Sequence, residues 1–429
     1  MKNKNQNYCK GQAVITITIF FLFASLIIIF GASSIALKES KIVNNLAFSQ
    51  QSYFLAESGI EDIGYRIMNL KSVDSTEILK IEDFYATTTV ATLGTDQEEI
   101  TAQGNVFNSV RKIKAKMTTD TGLSFYYGVQ IDVGGLIMEN NSTVNGNVYS
   151  NGIIQGFNSN LIKGDIVSAG PNGLIDGIHS TSSAYSHNIT NSIIDRDAFY
   201  VNISNTNVFG TLHPDSPDQA TSTLPISDEM IEEWKTAAKI STISSPCPYV
   251  IKDNISLGPI KILCDVEIEG NPTITLGGPI WVNGNLTVKN TAVIRIDPSL
   301  GSKSIAIVID NPSNRLTSSK VELRNSVEFK NSGTKGSYVL IVSQNNSAEN
   351  GGSEKAIIVQ NSVSGDLLLY AAHGEINLQN TTNYLREVSG YKIRLQNTAN
   401  VVYEKGLASL LFQSGPSGGY SINDWEEAQ

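Results

Sequence analysis

Between Lys10 and Lys38 the chain carries no side chain that ionises at neutral pH. Nothing else in the sequence restricts the fold so strongly. About 20 apolar residues suffice for a helix to cross a bilayer, and Lys2, Lys4 and Lys10 precede the run. Positive charge is retained on the cytoplasmic side. The expected arrangement is therefore one span, with the N-terminus in the cytoplasm and the remainder outside. A cleaved secretory signal is the rival reading: such signals have an apolar core of about 7–15 residues and a small-residue site after it. The run here is longer, although Ser34-Ile35-Ala36 would permit cleavage before Leu37. Cys9 precedes the apolar segment, the wrong side for a lipid-modified cysteine.

The next stretch separates these readings. From Lys38 to Leu70, apolar residues fall at Ile42, Val43, Leu46, Ala47, Tyr53, Phe54, Ile60, Ile63 and Ile67, a helical spacing. No proline or turn signal divides this part from the apolar run. One helix over residues 12–70 is predicted, roughly 90 Å long at about 1.5 Å per residue. Its first half is apolar all round and its second half amphipathic. A cleaved signal gains nothing from that continuity, whereas a filament subunit uses both halves.

The stretches "KGQAVITITIFFLF", "ALKES" and "YFLAESGIEDIGYRI" together resemble the N-terminus of minor type IV pilins and pseudopilins, particularly the PilX-type N-terminal domain. The resemblance covers about the first 70 residues. It implies a leader over residues 1–11, cleavage by prepilin peptidase between Gly11 and Gln12, and N-methylation of Gln12. It also implies a wait in the membrane until other pilin subunits and an assembly platform draw the protein into a filament. Major pilins carry glutamate at the fifth mature position; here that position is Thr16, which resembles minor, tip-associated subunits such as K-type pseudopilins.

Composition agrees with an extracytoplasmic scaffold. Charged residues make up 17% of the 429, glycines number 35, and the formal net charge is −10. Such a charge argues against nucleic acid, whose binding depends on neutralising phosphates. "RKIKAK" (Arg111 to Lys116) alternates as a strand does. With "DFYATTTVATLG" and "EEITAQGNV" it predicts a small antiparallel connector over 71–122, with turns at "GTDQ" and "QGN".

Most of the remaining mass repeats. "VNGNVYSNG" (Val144 to Gly152) and "IKGDIVSAG" (Ile162 to Gly170) match at an offset of 18 residues, and the core of the pattern returns in "VNGNL" (Val282 to Leu286) and "VSGDL" (Val363 to Leu367). "INLQNTTNYL" and "IRLQNTANVV" echo at an offset of 17. Apolar-x-Asn steps recur at Asn140, Asn290, Asn325, Asn331 and Asn361. Ordinary hairpins explain Asn-Gly steps, but Gly146 and Gly152 stand too close for two useful hairpins. Six residues suit one side of a coil that returns after about 18. The fold class expected is mainly β: after the long N-terminal α-helix and the antiparallel strands, a parallel β-solenoid of about a dozen coils over 123–412, with a β-sandwich as the alternative. This half resembles bactofilin-like and adhesin-type β-helix domains in its style of repeat, and no function transfers with that.

The repeat lapses over 180–246, read as an insertion containing a helix in "SDEMIEEWKTAAKI", N-capped by Ser227 with Met230 and Trp234 on one face. Residues 413–429 read as a cap on the last coil, using Tyr420, Ile422 and Trp425. Cys247 and Cys264 lie 17 residues apart, about one coil. That spacing suits a disulfide outside the cytoplasm; two separate buried thiols are the alternative.

Chemistry is sparse. The acidic residues Asp165, Asp176, Asp265, Asp310 and Asp366 scatter, and His179, His187, His213 and His373 show no metal-ligand spacing. No catalytic residue, metal or cofactor is expected, and the chain is not read as an enzyme. Two functions remain. One is a minor, PilX-like subunit of a type IV pilus or pseudopilus, its β-helix adhesive or priming assembly at the cell surface. The other is a stand-alone membrane-anchored surface protein whose solenoid binds glycan or envelope polymer.

Overall fold

The computed structural model describes residues 9–68, 73–92, 97–119, 125–381, 385–404, 407, 410–414 and 420–428. The chain forms two compact units, one of residues 1–67, 72–118 and 422–429, the other of 68–71 and 119–421.

In the first unit, α1 (Cys9–Met68) is a single helix of 60 residues. Strands β1 (Thr76–Ile81), β2 (Phe84–Thr92), β3 (Gln97–Val106) and β4 (Ser109–Thr119) form an antiparallel meander. The face of α1 that meets the sheet differs from the one its large residues suggest. Ser52, Leu55, Ala56, Gly59, Ile60 and Ile63 are buried, while Ile42, Val43, Leu46 and Phe54 are exposed. Close approach explains this: a Cβ on Gly59 would lie 2.6 Å from Thr88 Oγ1, and one on Gly104 would lie 2.1 Å from the Ser52 carbonyl oxygen. "QGN" is accordingly no turn but part of β3, its glycine admitting the helix. The turn falls at Phe107-Asn108, both at positive φ. "GTDQ" lies mostly outside the described residues. Ser52 joins helix to strands, its hydroxyl donating to the Ser109 carbonyl at 2.6 Å and accepting from Val106 N at 3.1 Å.

The segment expected to cap the solenoid does something else. Tyr420–Ala428 is a strand on the outer edge of the meander, beside β4, and Arg111 ion-pairs with its Glu427. A sheet edge recruits any strand that reaches it, and pairing with β4 requires proximity that no local pattern encodes.

The second unit is a three-sided solenoid of parallel strands. A typical coil runs Val148–Ser150, Ile154–Phe157, Leu161–Ile162, one strand per side. Inward residues alternate with outward ones and build one continuous core, from Ile189 and Ile194 through Val129 and Val388 to Ile262. All-parallel stacking excludes the sandwich.

The order of coils in space is not their order in sequence. The chain enters mid-stack at β5 (Val129–Glu139), whose residues pair with Val148–Ser150 on one flank and with Glu387–Gln396, the last long strand, on the other. From β5 the coils climb through Ile166–Ser168, Ala184–Thr190 and Ala198–Ser204 to Leu212–His213. The chain then crosses to the opposite end and restarts at Thr242–Ile243. From there it climbs through Ile260–Ile262, Ile280–Val282, Ile305–Ile309, Val339–Ser343 and Leu367–Gln379 back to Glu387–Gln396. The insertion expected over 180–246 is therefore shorter. Coils persist to His213, tightened to 14 residues because Ala184–Thr190 and Ala198–Ser204 each span two sides without a corner loop. Only 214–241 is a crossover.

Corners explain the repeat. At the Gly-Asn and Gly-Asp corners the residue after the glycine accepts an amide of the adjoining coil: Asn147 Oδ1 from Asp165 N (3.0 Å), Asp165 Oδ1 from Ser183 N (3.1 Å) and Asn285 Oδ1 from Lys320 N (3.0 Å). Asp265, which follows Cys264 instead, does the same for Asn285 N (2.7 Å). At another corner, Asn158, Asn140, Asn397, Asn380, Asn361 and Asn325 all take positive φ. The side-chain amides form a ladder ending on the Asn325 carbonyl oxygen, each donating to the next with links of 2.9–3.2 Å: Asn158 to Asn140 to Asn397 to Asn380, and Asn380 to Asn361 to Asn325. Asparagine tolerates this conformation better than other non-glycine residues. The ladder crosses the seam between β5 and the last strand without a break.

Candidate functional site

The N-terminal half of α1 is the feature most plainly built for a non-aqueous partner. Among the described residues α1, taken over Val14–Arg66, is the one helix long and apolar enough to span a membrane, and its most apolar window has a mean hydropathy of 2.7 and is 0% buried. Phe20, Phe21, Ile27 and Ile28 are at least 70% exposed. Two of its hydroxyls are satisfied within the helix: Thr18 Oγ1 donates to the Val14 carbonyl and Ser25 Oγ to the Phe21 carbonyl, each at 2.8 Å. Such back-bonding lets a hydroxyl enter lipid or a helix bundle without an unmet donor. Gly11 and Gln12 fall in the first turns of α1, which starts at Cys9; the side chain of Gln12 lies outside the described residues.

In the second unit the crossover is held against the solenoid by polar clamps along its length. Gly170 N donates to the Gln219 carbonyl (2.9 Å), Gln130 Nε2 to the Thr223 carbonyl (2.8 Å), and the Tyr370 hydroxyl bonds the Ile226 carbonyl. Helix α2 (Asp228–Ala237) follows, with the Ser227 hydroxyl accepting from Met230 N. Trp234 is wholly buried among Phe125, Tyr338, Tyr370, Leu410 and Phe412. Beside it, Lys235 reaches the fully buried Asp310 at 2.7 Å. Arg315 grips both oxygens of the same carboxylate, at 2.8 and 3.0 Å.

The acidic residues singled out from sequence are not brought together. Asp165 and Asp265 are corner acceptors, and Asp176 accepts from Thr190 and Asn191 at 2.8 and 2.7 Å. Asp310 anchors α2, and Asp366 pairs with Arg386 at 3.0 Å. His179 meets Asp195 at 3.2 Å, His187 meets Asp218 at 2.9 Å, His373 meets Glu349 at 2.8 Å, and His213 stacks on Phe199 with ring centroids 4.2 Å apart. Among the described residues no three metal-ligating side chains converge. Burial pushes the Glu387 carboxyl well above its ordinary value, partly offset by a hydrogen bond from Ser389. An open groove of about 520 Å³ on the third side is lined by Asn141, Asn158, Asn160, His179 and Asn191.

Cys247 and Cys264 stand on consecutive coils at the Thr242 end, with Cα atoms 5.8 Å apart and their sulfurs joined as a disulfide. The Lys235–Asp310–Arg315 anchor was not legible in sequence. Its one signal was Trp234 on the apolar face of a predicted helix.

No family model matches the chain, and no curated protein matches it. Among solved structures, the competence-associated pilin ComZ from Thermus thermophilus aligns over 89% of this chain and 97% of its own, at 9% identity and a TM-score of 0.28.

Proposed function

We propose that this protein is a minor pilin-like or pseudopilin-like subunit, held in the membrane by α1 and later packed by it into a cell-surface filament that displays the solenoid. The observation that carries this reading is the single 60-residue helix, bare and apolar in its first half and fastened to a sheet by small residues in its second. An anchor alone needs only about 20 residues; a rigid extension joined to a head suits helix-by-helix stacking. On this reading prepilin peptidase cuts between Gly11 and Gln12, Gln12 is methylated, and Lys2, Lys4 and Lys10 keep the leader in the cytoplasm. The solenoid then serves adhesion or the priming of assembly, and its side chains act as structure rather than as catalysts.

Mass spectrometry of the N-terminus, from membrane and sheared-surface fractions, tests the proposal. A chain beginning at Gln12 is expected. One beginning at Met1 would leave a membrane-anchored surface protein, and one beginning at Leu37 a secreted protein; either result sinks the filament reading.

A further inference from the structure

We propose that the solenoid holds an anionic group, a carboxylate or phosphate, between Lys239 and Lys261 beside Trp281, at the point where the crossover rejoins the stack. Thr242, Lys261 and Trp281 stand in line on the first side of successive coils. Three ammonium groups converge on the one indole ring. Lys261 Nζ lies 3.7 Å from its centroid, Lys235 Nζ 4.6 Å and Lys239 Nζ 5.5 Å. Lys239 and Lys261 are thus at most about 9 Å apart, so an oxyanion placed midway lies within about 5 Å of both ammonium charges.

Of the three, Lys235 is neutralised by Asp310 and Glu232. Among the described residues neither Lys239 nor Lys261 has a carboxylate partner, although the chain as a whole carries a net charge of −10. Burial, then the charges of Lys239 and Lys235, hold the Lys261 ammonium below the usual lysine range. The cations are therefore gathered at a cost that an anion would relieve. The platform is fixed, since Trp281 Nε1 donates to the Asp310 carbonyl at 2.9 Å. Trp281 is only 6% exposed, so its ring offers no face for a sugar to stack on. Recognition here is by charge, through Lys239 and Lys261, which both reach solvent. This inference is independent of how the N-terminus is processed.

The test titrates the full chain in non-ionic detergent with inorganic phosphate and, separately, with an oligogalacturonate. Binding is read by tryptophan fluorescence, with Trp281→Phe assigning the signal, and by calorimetry. Wild type is expected to bind at low salt, and Lys239→Gln/Lys261→Gln to weaken binding at least about tenfold. Lys252→Gln/Lys289→Gln, which removes lysines already paired with glutamates, should leave binding unchanged. Tighter binding of the oligomer than of phosphate marks an acidic polymer as the ligand; equal binding marks a single-anion site. Absence of saturable binding to both ligands overturns the proposal. So does equal binding by the Lys239/Lys261 variant, with a melting curve showing that variant folded.

Discussion

Asp310→Asn is expected to free the crossover helix far more than Lys235→Met, although the two residues form one ion pair. Asp310 is fully buried and serves two cations, Lys235 at 2.7 Å and Arg315 at 2.8 and 3.0 Å. Removing its charge strands Lys235, 2% exposed, with only the exposed Glu232 as partner. Leaving a buried charge uncompensated costs about 3–5 kcal/mol. Replacing Lys235 by methionine leaves Asp310 neutralised by Arg315 and fills the same channel with an apolar chain. The main loss is then the cation near Trp281, about 0.5–2 kcal/mol. In hydrogen exchange of the α2 amides, Asp310→Asn should raise the open population roughly 10²- to 10⁴-fold, and Lys235→Met by roughly 30-fold at most. Equal losses of protection, or a larger loss for Lys235→Met, would show that Arg315 does not neutralise Asp310 and would refute the reasoning.

Gly104→Ala should separate α1 from its sheet, because the new methyl would meet the Ser52 carbonyl at 2.1 Å, whereas Gly31→Ala, with nothing within 4 Å, should be neutral; faster tryptic cleavage at Lys112 and Lys114 in the first variant alone is the readout. Glu387 has a folded-state pKa raised above its unfolded value by burial, so its contribution is fully present in acid and is lost as pH rises from the ordinary carboxyl range through the raised value. Glu387→Gln should therefore melt higher than wild type at pH 8 and close to it at pH 4; a difference independent of pH would contradict this. Reducing Cys247–Cys264, which closes a loop of 17 residues, should cost about 3 kcal/mol. The loss should appear as faster exchange confined to the Thr242 end.

The sequence by itself determined what each short segment does. The uncharged run and the proline-free stretch after it specify one long helix, since nothing between Gln12 and Met68 stops it. Val144-x-Gly146-Asn147-Val148 specifies a corner, because a glycine must pass close to the adjoining coil and an Asn or Asp must accept that coil's amide. The asparagines of Met138-x-Asn140 and its echoes specify another, through their tolerance of positive φ. Cys247 and Cys264 carry their pairing in a spacing of one coil. These signals are local, and local physics reads them.

Tertiary structure alone decided which coil lies on which. The coils share an apolar interior and many share corner chemistry, so these features do not name a coil's neighbour, and β5 accepts Val148–Ser150 on one flank and Glu387–Gln396 on the other. The crossover of 214–241 settles that choice, anchored by Trp234 in a pocket lined by residues as distant as Phe125 and Phe412. Edge pairing likewise sends Tyr420–Ala428 to β4, and the small face of α1 was concealed because Ser52, Ala56 and Gly59 advertise no hydrophobicity. Their importance lies in the space they leave, and that appears only when the opposing Ala86, Thr88, Ala102 and Gly104 are in place.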